Sequence, residues 1–159
     1  MSWRDALTRL VWGESQLVVH EVVPELQKAH AGFVQRAEQM RRHAETAPNQ
    51  LNHQELGRLG DEERGHAQQL LEALAATGAA AIPPTAAVPP DGALNHWGRL
   101  VQDLEAHRAA ARHLREEAVH FAETLPETAS LFDRLCRAEE AHALRLRDLI
   151  ARADPQAIN

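Results

Sequence analysis

Two Glu-x-x-His motifs, Glu63 with His66 and Glu139 with His142, are the residues of this sequence whose types and spacing could do chemistry. Residues three positions apart lie on one face of an α-helix, so the carboxylate and the imidazole of each motif can reach the same point. Carboxylate oxygens and imidazole nitrogens are both ligands of transition-metal ions. The motifs therefore predict a metal centre, provided that the fold brings them together.

A third motif of the same spacing, Glu117 with His120, tests whether the spacing alone is meaningful. At about 100° per residue, Glu117 falls roughly 120° from the middle of the apolar stripe of its helix, whereas Glu63 and Glu139 fall near the centres of theirs. Burying Glu and His among leucines costs several kcal/mol unless they are paired or coordinated. We therefore predict that Glu117 faces solvent and that the other two motifs face the core.

Apolar residues that recur at three- and four-residue steps predict four long helices, over about residues 15–46, 52–77, 94–123 and 126–153. Pro24 is predicted to kink the first helix or to mark the end of an initial helical piece from about Trp3 to His20. Paired prolines make 78–92 an extended crossover that is long enough to span the length of a bundle. Two short turns around one long crossover is the connectivity of ferritin-like bundles. The fold class is therefore all-α, a single four-helix domain over 1–159.

Capping signals mark three of the predicted helix ends. Asn52 with Glu55, and Thr124 with Glu127, have the spacing of capping boxes at the starts of the second and fourth helices. Gly78 is predicted to end the second helix, because glycine readily adopts the left-handed conformation that follows a helix.

Composition excludes several classes of function. A formal net charge of -6 argues against a nucleic-acid or anionic-membrane partner, since either would need a basic face. A single cysteine, Cys136, can form neither an internal disulfide nor a cysteine-rich metal site, which indicates a reducing compartment. The first residues carry scattered charges unlike a secretory signal, and no apolar run is long enough to cross a membrane. We expect a cytoplasmic protein with no nucleic-acid and no membrane partner.

With its EERGH and EEAH motifs and its helical pattern, the chain resembles the ferritin-like superfamily, including bacterioferritins and rubrerythrins, over about 15–153. In that superfamily each helical hairpin supplies one Glu from its first helix and a Glu-x-x-His from its second, and these ligands hold two iron or manganese ions that react with dioxygen or peroxide. The resemblance implies Glu63, His66, Glu139 and His142 as ligands. It implies iron as the cofactor, with manganese as an alternative.

The first-helix carboxylates that the resemblance implies are missing from this chain. Their expected positions lie near His30 and Ala106, where no Glu has both the required depth and the required face, but His30 and His107 fit to within one residue. We therefore predict His30 and His107 as replacement ligands, in a site of up to two Glu and four His. Fewer carboxylates hold less positive charge, which favours a single ion or a softer ion such as zinc or copper.

A metal-free arrangement of the same side chains stays open. Buried Glu63 with His142, and buried Glu139 with His66, could form a hydrogen-bond network that specifies the core without any ion.

Three functions fit these observations. The first is a metal-binding ferritin-like protein, acting as a di-iron or dimanganese oxidase or a peroxide-handling enzyme with ferroxidase-like chemistry. The second is a non-catalytic bundle that uses Trp3, Trp12 and Trp97 for self-association or partner binding. The third is the subunit of an iron-storage cage. We expect a homo-oligomer, with a dimer as its simplest form.

Overall fold

The computed structural model describes residues 3–84 and 95–153, with side chains described from Val18 onward in the first of these ranges. This part of the chain forms four helices: α1 (Trp3–Glu45), α2 (Gln50–Thr77), α3 (His96–His120) and α4 (Pro126–Arg152). The helix α1 packs mainly on α2, and α3 mainly on α4, so the bundle is built from two helical hairpins. The predicted all-α four-helix fold is confirmed. None of the described helices is both long enough and apolar enough to cross a membrane.

The predicted initial helical piece and the predicted first helix form one continuous helix, since α1 begins at Trp3 and continues through Pro24 without ending. A proline inside a helix removes the hydrogen bond to the carbonyl four residues earlier. That carbonyl belongs to His20, which is exposed, so water can take the missing bond. The side chains of Trp3 and Trp12, predicted for a contact surface, lie outside the described residues.

Two of the predicted capping boxes are wrong. The N-cap of α2 is Asn49, whose side chain accepts a hydrogen bond from the backbone N–H of Asn52, so the helix starts earlier than expected. Asn52 is itself buried within α2. At the start of α4, Leu125 precedes the helix without a side-chain hydrogen bond, and Pro126 occupies the first turn instead of a Thr124 cap. A proline there has no N–H that needs a partner.

Gly78 ends α2 as predicted. Its φ of 78° lies in the left-handed region, and its N–H bonds back to the carbonyls of Leu74 and Ala75. Residues 79–84 continue without regular structure, and the rest of the predicted crossover lies outside the described residues.

A layer of polar side chains divides the core into two apolar clusters. One cluster includes Phe33, Leu70, Phe121, Phe132 and Leu135, and the other includes Met40, Leu56, Leu100, Leu104 and Leu146. On each helix, polar residues lie between the two clusters. They are Arg36, Glu63, His107, Glu139 and His142. The clusters exclude water from both sides of the polar layer.

Candidate metal centre

Four buried side chains from three helices converge in the polar layer: Glu63 from α2, His107 from α3, and Glu139 and His142 from α4. Each offers one ligand atom, and these atoms all lie within 4.8 Å of one another. None of the four residues is more than 2% exposed. Among the described residues, these four form a fully buried group with enough oxygen and nitrogen ligands to hold a metal ion.

Each carboxylate of this group pairs with one imidazole. His142 Nδ1 lies 3.0 Å from Glu63 Oε1, which is the pairing expected for a buried network. Glu139 does not pair with His66; instead, its Oε2 lies 2.8 Å from Nδ1 of His107. The third helix therefore contributes directly to the group.

The first helix contributes a cation to the group rather than a ligand. Arg36 Nε lies 2.8 Å from Glu63 Oε2 and 3.4 Å from Glu139 Oε2, and the arginine side chain is only 13% exposed. Its guanidinium carbon also lies 4.4 Å from the ring centroid of Phe33, a cation–π contact that fixes its position. Sequence analysis did not find Arg36. The signal that could have found it is the need of two buried carboxylates for a counter-charge.

A chain of polar contacts connects His142 to the surface. Its Nε2 lies 2.8 Å from Oε2 of Glu62, a carboxylate whose side chain is 44% exposed. Arg145 in turn donates to Glu62 at 2.9 Å and to Glu55 at 3.2 Å. Histidines that bind metals usually donate their other ring N–H to such a carboxylate, which fixes the ring orientation. Glu62 therefore directs Nδ1 of His142 toward the centre of the group.

The two remaining predicted ligands lie outside the group. His66 Nδ1 is 3.9 Å from Glu63 Oε1, and its ring stacks on that of His142 with the centroids 5.6 Å apart, which places His66 at the margin. His30 lines a separate cavity beside α1 and α2, next to Val34 and Ala67. Burial lowers the pKa of His30. The structure thus brings together Glu63, Glu139, His107 and His142, and does not bring His30 to them.

Burial and the neighbouring charges set distinct protonation states in the group. Burial, with the nearby Glu63, raises the pKa of Glu139 to about 9. Burial also opposes ionisation of Glu63, but hydrogen bonding to His142 and the charge of Arg36 hold the pKa of Glu63 well below its ordinary value. The pKa of His107 falls to about 4 because burial disfavours its charged form. At neutral pH, Glu63 is therefore ionised beside Arg36, and His107 is a neutral imidazole with a lone pair to offer.

Two unpaired atoms show that the group fits a metal ion. Glu139 Oε1 and His107 Nε2 are shielded from solvent, and neither has a hydrogen-bond partner among the described residues. Leaving such atoms unpaired costs free energy, and native structures contain few of them. Two carboxylates with two imidazoles form a donor set that suits iron, manganese or zinc. The positive charge of Arg36 already balances part of the negative charge, so the group fits one ion better than two.

A second buried polar network lies one helical turn from the group. Asp103 is fully buried; its Oδ1 accepts a hydrogen bond of 2.6 Å from Gln39, and its Oδ2 lies 2.6 Å from His43 Nδ1. Sequence analysis missed Asp103, although it lies three positions after the buried Leu100. The network ties α1 to α3 and holds Asp103 in place above His107.

Replacing Asp103 by asparagine is expected to lower the free energy of unfolding by about 1–3 kcal/mol, because an amide NH2 replaces one of the two buried oxygens that contact Gln39 and His43. Urea denaturation followed by circular dichroism measures this change. Metal content is expected to stay at the wild-type level, since Asp103 is not in the group of four. A variant as stable as wild type would show that this network contributes no net stability.

The prediction that Glu117 faces solvent is wrong. Its side chain is only 16% exposed, and its Oε1 lies 3.7 Å from His113 Nδ1. Glu25 of α1 approaches the second nitrogen of that ring, with Oε2 3.2 Å from His113 Nε2. Glu117 points away from the apolar stripe of α3 but toward a neighbouring helix.

The chain matches a family by sequence and a solved structure by fold. A sequence model described as rubrerythrin matches residues 55–150. No curated protein matches the chain. Among solved structures, the chain is similar to a dodecameric thioferritin, the bacterioferritin-related protein from Bacteroides fragilis, with a TM-score of 0.70 and 18% sequence identity. The similarity covers 89% of this chain and 92% of that chain.

Proposed function

The chain belongs to the rubrerythrin family and has the ferritin-like fold, and from this premise we propose that it binds one transition-metal ion through Glu63, Glu139, His107 and His142. The predicted resemblance to the ferritin-like superfamily is confirmed. The observation that carries the proposal is the convergence of these four side chains in a layer that apolar clusters close on both sides.

The ion that the proposal favours is iron, with manganese, zinc and copper as alternatives. Iron, when bound, would supply one-electron chemistry toward dioxygen or peroxide, and an oxidase or peroxide-handling role follows from that chemistry. The protein supplies the rest. His107 offers a neutral nitrogen, Glu62 orients His142 from the surface, and the two clusters keep bulk water away from the ion. Burial opposes the charged form of His142, but the neighbouring Glu63 raises the pKa of its imidazole, so His142 would release a proton when an ion binds.

The number of ions distinguishes this proposal from a dinuclear site. A second ion would need the first-helix carboxylates, and at that side of the group α1 provides the guanidinium of Arg36. A fixed positive charge repels a second cation and compensates the charge of Glu63 in its place. The proposed centre is therefore mononuclear.

Metal analysis of the purified protein tests the proposal. After expression with added iron or manganese, we expect about one ion per wild-type chain. His142→Ala removes a ligand and is expected to weaken binding by at least about tenfold, since even the partners of ligands contribute that much to metal affinity. His30→Ala removes a histidine of α1 that lies outside the group, so it is the matched control and should bind as wild type does. Wild-type protein without metal after supplementation would contradict the proposal.

The second candidate function is a non-catalytic bundle, and Arg36 is the observation that favours it. A guanidinium that already pairs with Glu63 can stabilise the buried carboxylates without an ion. In that case the four polar residues would affect stability only, and no variant among them would change metal content.

Self-association is expected under both functions. Trp97 and Leu51 are 39% and 47% exposed, and both line one groove at the same end of the bundle, beside Pro48. Exposed aromatic and aliphatic residues are enriched in contact surfaces between proteins. The similar thioferritin is described as dodecameric, which supports a homo-oligomer here. Light scattering after size-exclusion chromatography would give the subunit number, and a cage subunit for iron storage would require a large assembly.

A further inference from the structure

A second group of metal-ligand side chains lies between the two hairpins. It consists of Glu25 from α1 with His113 and Glu117 from α3, and one ligand atom from each lies within 4.8 Å of the others. Glu25 precedes Arg36 by 11 positions, which is roughly 16 Å along a helix. The group therefore shares no ligand with the candidate centre in the polar layer.

The contacts inside this group leave two buried atoms unsatisfied. Glu25 Oε2 and His113 Nε2 are each shielded from solvent, yet neither has a hydrogen-bond partner in the part of the chain that the structure describes. They lie 3.2 Å apart, but their geometry is not that of a hydrogen bond. A cation placed between a carboxylate oxygen and a ring nitrogen would satisfy both atoms.

The charges around this group also favour a cation. Burial raises the pKa of Glu117, and the nearby carboxylate of Glu25 raises it further. Lys28 compensates the negative charge of these carboxylates only weakly. Its Nζ is 4.0 Å from Glu25 Oε2, and its side chain is 65% exposed, so water screens its charge. His113 and His120 are the other titratable groups that act on Glu117. Two half-buried carboxylates held together in this way gain from a divalent ion.

We propose that Glu25, His113 and Glu117 form a second site, for one divalent transition ion of the zinc class. Carboxylate oxygens and imidazole nitrogens are both zinc ligands, and zinc is often held by three protein ligands with water in the fourth position. The i, i+4 spacing of His113 and Glu117 places both on one turn of α3, and Glu25 completes the set from the other hairpin. An ion bound here cross-links the two hairpins. The site is independent of the proposed function, because its ligands and its location differ.

Calorimetric titration of Zn²⁺ into chelator-treated full-length protein tests this site. Glu117→Gln keeps the size of the side chain but weakens it as a ligand, so one binding event should weaken by at least tenfold. Glu116→Gln changes the exposed neighbour on the same helix and is the matched control; it should bind as wild type does. Glu25→Gln is a second variant on the other hairpin, and it should lose the same event as Glu117→Gln.

The His142→Ala variant separates this proposal from the proposed function. It should keep the event that depends on Glu117, and Zn²⁺ should raise its thermal unfolding temperature. The double variant with Glu117→Gln should lose both the binding event and the thermal shift. Equal Zn²⁺ affinity and stoichiometry in Glu117→Gln and Glu116→Gln would overturn the second site, as would the absence of Zn²⁺ binding to His142→Ala.

Discussion

Replacing Glu63 by alanine is expected to lower the free energy of unfolding of the metal-free protein by about 3–5 kcal/mol, the cost of breaking a buried ion pair by removing one partner. The carboxylate is fully buried and contacts Arg36 at 2.8 Å and His142 at 3.0 Å. Its loss leaves the guanidinium in the core without its nearest anion, and also leaves a cavity. Urea denaturation at neutral pH in the presence of a chelator measures the change.

Two further variants make the Glu63 result specific. Glu72→Ala removes an exposed glutamate from the same helix, and we expect a change within about 0.5 kcal/mol. The double variant Glu63→Ala with Arg36→Met should be more stable than the sum of the single changes predicts, because the stranded charge is gone. If the free energy of unfolding of Glu63→Ala alone lies within about 1 kcal/mol of the wild-type value, the pairing with Arg36 contributes far less than a buried ion pair should.

Replacing Arg36 by methionine is expected to change stability and metal binding in opposite directions. Without its cation, the metal-free protein should lose about 3–5 kcal/mol of its free energy of unfolding, since the ionised Glu63 loses its arginine partner in the core. A divalent ion, however, would no longer meet the charge of Arg36. Metal affinity should therefore rise by at least about tenfold. The free energy for a tenfold change is only a modest fraction of the repulsion energy between these charges at an effective dielectric constant near 20. The metal-induced increase in unfolding temperature should grow accordingly.

Thermal unfolding with and without added metal, together with a metal titration, measures both effects of Arg36→Met. Arg41→Met is the control, because Arg41 is an exposed arginine of α1 that pairs with Glu38 on the surface; it should change neither property. A lower metal affinity in Arg36→Met would mean that the guanidinium holds the ligands in place. The mononuclear proposal, in which Arg36 stands in for a second ion, would then be wrong.

The parts of the site that sequence analysis could predict depend on helical periodicity alone. Glu63, Glu139 and His142 lie at the centre of apolar stripes, and in a regular helix a stripe position fixes the direction of the side chain. All three are buried, and they lie together. The same three- and four-residue periodicity was enough to predict the four helices.

The contribution of α1 could not be predicted in the same way. Periodicity gives the direction of a side chain but not the height at which one helix packs against the next. His30 therefore lies beside a different cavity. Arginine, with its long side chain, reaches buried carboxylates from a position at the edge of a stripe. The residue that α1 contributes to the group is therefore Arg36, which was not predicted, and not His30, which was.

Glu117 shows a second limit of periodicity. The apolar stripe of α3 marks the face toward the centre of the bundle, but a helix in a four-helix bundle has two neighbours and contacts both. Glu117 lies off the stripe and toward α1, where Glu25 and His113 half-bury it. A residue about 120° from the stripe is thus not necessarily exposed. Whether its side chain is buried depends on how the helices are arranged.

The polar layer between the two apolar clusters also governs how the hairpins can be aligned. Sliding one hairpin along the other by a single helical turn, about 5.4 Å, would move Glu63 away from His142 and Glu139 away from Arg36, and would set both carboxylates against leucines. An all-leucine interface would tolerate such a shift at little cost. Ion pairs and imidazoles that have partners only at one height make every other alignment unfavourable, so this layer gives the bundle a unique axial register before any ion binds.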